Sequence, residues 1–148
     1  MTLRLEYRAV APDAVKALRG LNDYIAGSTV PPPLRYLIET RVSEVNGCSY
    51  CIAVHRNQAL DVGESVDRLD ALRDWRGSDL FTPAERAALA WAEDLTLVAE
   101  TGAPDATYRG LLDHFDEKEI VDLTFVVMSM NAWNRLAIGF RREAPTPE

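Results

Sequence analysis

This chain is poor in several things that other functions need. Among 148 residues there are two cysteines, too few for the disulfide framework of a small secreted scaffold. It has no run of basic residues, and its net charge is -7. Neither a nucleic acid nor an anionic membrane surface is expected as a partner. The longest apolar-rich stretch, Ile120 to Phe140, is interrupted by Asp122, Asn131, Asn134 and Arg135. It reads as a buried helix rather than a membrane span. Met1 to Glu6 lacks the apolar core and cleavage site of a signal peptide, so a cytoplasmic location is expected. Strand alternation, internal repeats and linkers are missing too. The chain therefore reads as one all-α domain over residues 1–148, ending in a loose tail from about Ala144.

What is present is helix after helix, six to seven in all. Pro12 to about Ala26 opens on Pro-Asp and closes near Gly27. Leu34 to Val45 stops at Asn46-Gly47, and a third helix runs from Ser49 to about Leu60. Glu64 to Trp75 is the fourth. The fifth starts on Thr82-Pro83-Ala84-Glu85, a capping box with proline at the first helical position. Its stripe of Ala84, Ala88, Trp91, Ala92 and Leu95 has helical spacing. Pro104 to about Phe115 is the sixth, and Asp116 with Glu119 caps the seventh. That last helix is apolar on all sides, as expected of a central helix or one at a subunit interface.

Both cysteines and one of the two histidines fall in Asn46-Gly47-Cys48-Ser49-Tyr50-Cys51-Ile52-Ala53-Val54-His55, a Cys-x-x-Cys-x-x-x-His pattern. On a helix these spacings put all three side chains on one face, with the sulfurs in the first turn. That arrangement suits a dithiol cycling through a disulfide beside a proton-handling imidazole. A disulfide across two intervening residues closes too small a loop to stabilise much. Zinc is another use for such groups, but three ligands fall short of the four of a structural site. The plainest alternative is a core stripe shared with Ile52 and Ala59.

The chain resembles the alkylhydroperoxidase D-like (AhpD-like) branch of the carboxymuconolactone decarboxylase family. The likeness runs from Arg41 through Cys51 to His55, through Phe81 to Glu93, and on to Ile120-Val121-Asp122-Leu123-Thr124 and Asn131 to Ile138. It implies an all-helical subunit assembling as a homotrimer or homohexamer, with a thiol-dependent peroxidase or disulfide-exchange site. It also implies that Cys51 attacks the peroxide, Cys48 resolves it and His55 belongs to a proton relay.

Two positions depart from that pattern. Tyr36 stands twelve residues before Cys48, where the family's relay glutamate falls, and Tyr50 replaces a histidine just before Cys51. Glu39 and Glu44 are the candidate substitutes. Glu44 is preferred because the helix stop folds it back towards the cysteine turn, and Tyr36 could itself hydrogen-bond the thiolate or a water.

A helix N-terminus and a nearby imidazole both favour the thiolate form of Cys51. Attack on a hydroperoxide gives a sulfenic acid, which Cys48 converts to a disulfide. The partners expected are thus a hydroperoxide and a thiol or dithiol reductant, with no bound cofactor and no metal. The other readings are a cofactor-free lactone decarboxylase and a redox-sensing or scaffold oligomer without turnover. Tyr50 is expected to pack, with lining of the substrate entrance as the alternative, and His114 to lie at a surface or helix end. Trp133-Asn134-Arg135 is expected in a subunit contact, or in a network where Arg135 meets a carboxylate.

Overall fold

A computed structural model describes residues 2–144. The loose tail expected from Ala144 falls, beyond that residue, outside the described part. Nine α-helices and one 3₁₀ helix make up the regular structure among the described residues, with no strand. They are α1 (Tyr7–Val10), α2 (Pro12–Ala26), α3 (Pro32–Asn46), α4 (Ser49–Asp61), α5 (Val66–Ala71), the 3₁₀ helix (Leu72–Gly77), α6 (Pro83–Thr96), α7 (Val98–Thr101), α8 (Asp105–Leu112) and α9 (Glu117–Gly139).

The expectation of six to seven helices is therefore too low. The two helices it omits, α1 and α7, are four residues each, too short to show a 3.6-residue period. The helix expected over Glu64 to Trp75 divides instead. Asp74 takes a non-helical conformation (φ -119°, ψ 43°) inside the 3₁₀ segment. Trp75 then turns into the core beside Leu69 and Leu72.

The expected caps are in place. Thr82 and Glu85 form a reciprocal capping box on α6, and Asp116 and Glu119 form one on α9. The core is built on α3, which packs most extensively against α4, α9 and α6. Its main cluster joins Ile38 and Val42 of α3 to Leu123, Val126, Val127 and Met130 of α9, and both cysteines are in it. Asp122 of α9 is fully buried and ties that helix to the segment between α2 and α3. It accepts hydrogen bonds from the Thr29 amide (3.0 Å), the Thr29 hydroxyl (2.8 Å) and the Tyr24 hydroxyl (2.6 Å). No helix among the described residues is long and apolar enough to cross a membrane.

Candidate active site

The site starts at the turn between α3 and α4. Gly47 is left-handed (φ 71°, ψ 31°), a conformation that costs glycine little. The Gly47 amide donates to the Glu44 carbonyl and the Cys48 amide to the Ser43 carbonyl, which closes α3 in a Schellman motif. The next residue is already the N-cap of α4, and it is Cys48, whose Sγ accepts from the Cys51 amide at 3.3 Å. Polar groups of α9 hold this turn. The Asn46 side-chain amide donates to Asn131 Oδ1 (3.0 Å) and Asn134 Oδ1 (2.9 Å), and Asn134 donates to Ser43 Oγ (3.1 Å).

Cys48 and Cys51 form a disulfide. Both are buried, yet they face different openings. Cys51 lines a cavity of about 220 Å³ together with Tyr50, His55, Met130 and Trp133. Cys48 lines a separate surface groove with Gly47, Arg4 and Arg141. Among the described residues no group of three or more His, Cys, Asp or Glu side chains is gathered as a metal site.

His55 meets Glu39 rather than Glu44. Its Nδ1 lies 3.0 Å from Glu39 Oε2, in ion-pair range but not aligned as a full hydrogen bond. The other oxygen of Glu39 accepts from Arg35 Nε at 2.9 Å. The helical hairpin explains this choice. Glu39 precedes Gly47 by eight residues and His55 follows it by eight, so the two stand at the same height on facing helices.

Glu44, near the turn, leaves the site on another face of α3. Its carboxylate pairs with Arg41 at 3.0 Å and lies 3.7 Å from Arg73. Burial raises the Glu44 pKa against the opposing pull of Arg41. Arg41 also donates to Glu93 at 2.7 Å, and Trp75 (2.8 Å) and Arg76 (2.5 Å) donate to the same carboxylate. Burial pushes the Glu93 pKa up, but these donors outweigh it and hold the group below its ordinary range. Tyr36 does not line the cavity; it packs against the cluster of Leu69, Leu72 and Trp75, with the Arg35 guanidinium over its ring.

The remaining expectations divide. Tyr50 packs on the core and also lines the cavity, receiving Arg8 Nη2 at 3.4 Å with Arg142 over its ring. His114 is exposed just beyond α8. Trp133 lines the cavity and donates to Asn22 at 3.2 Å. Arg135 bonds the carbonyl and side chain of Asn131 and, among the described residues, pairs with no carboxylate. Arg8, Arg19 and Arg35, from three different helices, also line the cavity and were not among the candidates. No local spacing in the sequence marks them.

Comparison with known proteins agrees with this architecture. Residues 12–94 match the carboxymuconolactone decarboxylase family. The uncharacterized protein YdfG of Bacillus subtilis (strain 168) is 35% identical over 144 residues, covering 97% of this chain and 98% of that one. A crystal structure of a protein of unknown function from Agrobacterium tumefaciens, provisionally described as the antioxidant defence protein AhpD, superposes with a TM-score of 0.96. It is 36% identical and covers 99% of this chain and 100% of its own. The debrominase Bmp8 shares the fold at a TM-score of 0.84 and 22% identity, over 93% of this chain and 74% of its own. A helical domain with a Cys-x-x-Cys disulfide at a helix start is the class that fold and site define. Within that class, the chain belongs to the AhpD-like branch of the carboxymuconolactone decarboxylase family.

Proposed function

We propose that this protein is a thiol-dependent peroxidase that reduces an organic hydroperoxide through Cys51 and Cys48. One observation carries the reading. The Cys48–Cys51 disulfide sits at the start of α4, and Cys51 opens into a cavity beside a histidine paired with a buried glutamate.

In the reduced enzyme the free amides and dipole at the start of α4 favour the thiolate of Cys51. The thiolate attacks the terminal peroxide oxygen, the O–O bond breaks, and the sulfur takes that oxygen as a sulfenic acid. His55, which Glu39 orients, takes the proton that leaves the Cys51 thiol and delivers it to the departing alkoxide, which leaves as the alcohol. The Cys48 sulfur then attacks the sulfenic sulfur, the S–S bond forms and water leaves. A dithiol reductant restores the pair by thiol–disulfide exchange, attacking Cys48 from its groove, and is itself oxidised to a disulfide.

The test begins with fully reduced protein and one equivalent of an alkyl hydroperoxide. The expected result is loss of two hydrogens by intact mass and disappearance of both alkylatable thiols. Protein that stays reduced through repeated equivalents overturns the reading.

A further inference from the structure

Resting on that peroxidase reading, we propose that the substrate is a small organic hydroperoxide bearing a carboxylate, held by Arg8, Arg19 and Arg35 at the cavity over Cys51. The chain as a whole is acidic, with 23 Asp and Glu against 16 Lys and Arg. The cavity inverts that balance. Three guanidiniums line it and no carboxylate does.

Their hydrogen-bonding capacity is largely unused inside the chain. Arg19 is exposed, lines the cavity and takes part in no hydrogen bond or ion pair among the described residues. Arg35 spends only its Nε on Glu39, leaving its two terminal nitrogens without a partner within the described chain. The Nε of Arg8 is buried with no acceptor, and the same guanidinium reaches Tyr50 only at 3.4 Å. A planar fork of unfilled donors matches a carboxylate, which can accept two at once.

The same lining includes the apolar side chains of Val54, Met130, Trp133 and Ala137. An acid with a short hydrocarbon body satisfies both the guanidiniums and this apolar lining, with its peroxide end at Cys51. The volume, about 220 Å³, lies below the range of roughly 300–1,000 Å³ that houses drug-sized ligands, so the body is small.

Two measurements separate this inference from the peroxidase reading beneath it. The first is the rate of Cys51 oxidation by an ω-hydroperoxy carboxylic acid and by its methyl ester. An acid-to-ester ratio of about ten or more is expected, falling in Arg19→Gln and at high salt. The second uses no peroxide. In the Cys48→Ser background Cys51 is the sole thiol, and its alkylation by anionic iodoacetate is compared with neutral iodoacetamide, with N-acetylcysteine as the reference.

The iodoacetate-to-iodoacetamide ratio is expected to exceed that of the free thiol about tenfold and to drop in Arg19→Gln. A ratio equal to the reference, one unmoved by Arg19→Gln and salt, or equal oxidation by acid and ester overturns the inference. If neither peroxide oxidises Cys51 while the iodoacetate preference stands, the peroxidase reading falls and the anion site survives. Oxidation by both peroxides at one rate has the opposite meaning.

Discussion

Cys51 and Cys48 differ in what surrounds them, and their replacement should differ accordingly. Cys51→Ser is expected to abolish peroxide consumption. Cys48→Ser is expected to retain the first step and stop at a sulfenic acid, trapped by dimedone and seen by mass spectrometry. The two glutamates on α3 provide a second contrast. Glu39→Gln, which removes the charge facing His55, is expected to slow Cys51 oxidation about a hundredfold, read by stopped-flow fluorescence. Glu44→Gln is expected to leave that rate unchanged, because its carboxylate pairs with Arg41 and Arg73 instead. Its effect on stability follows from its raised pKa. A carboxyl whose folded pKa lies above the unfolded one favours folding when protonated and opposes it once pH rises through the folded value. Urea denaturation at pH 7 should therefore find Glu44→Gln at least as stable as the parent.

The helices are positioned by their ends and by a few buried polar ties. Gly47→Ala places a Cβ in a left-handed turn where no neighbour is crowded, so the cost is conformational alone. A loss of about 1 kcal/mol is expected in denaturant titration, with less uniform alkylation of the neighbouring cysteines. Asp122 is the tie of α9. Burial pushes its pKa up, but Lys118, Tyr24 and Thr29 outweigh that and bring it far below the ordinary carboxylate range. A depressed folded pKa contributes stability that is full above the unfolded value and fades as pH falls towards the folded one. The acid limb of the stability profile should therefore descend between about pH 4 and pH 2. Asp122→Asn is expected to flatten that limb and to cost about 3 kcal/mol at pH 7, measured by chemical denaturation across pH.

At the scale of the whole molecule, the apolar character of α9 is divided between two roles. Leu123, Val126, Val127 and Met130 enter the core, while Val121, Phe125 and Met128 are exposed on the outer side. Val98 of α7 and Met128 line one opening on that surface. Exposed apolar surface of this kind suits self-association, and we propose that this face joins subunits in the expected homotrimer or homohexamer. Phe125→Glu combined with Met128→Glu is expected to lower the mass measured by light scattering to that of one chain. A parent protein that is already monomeric would rule the assembly out.

Features governed by near neighbours in the chain were readable in advance. The bounds of α2, the capping boxes of α6 and α9, the stop at Gly47 and the placing of Cys51 and His55 on one helix all depend on residues a few positions apart, whereas Cys48 stands just outside that helix as its N-cap and faces another opening. One or two turns of backbone hydrogen bonding are enough to express them. The choice of Glu39 over Glu44 needed the facing of α3 against α4, since both lie on α3 and only the hairpin decides which one reaches His55. The helix count erred where segments were too short for periodicity or, at Asp74, where the chain left helical geometry to seat Trp75 in the core. The guanidiniums that line the cavity with Cys51 were out of reach for a stronger reason. Arg8, Arg19 and Arg35 come from three helices whose convergence depends on side-chain packing between distant segments, and no spacing along the chain encodes that meeting.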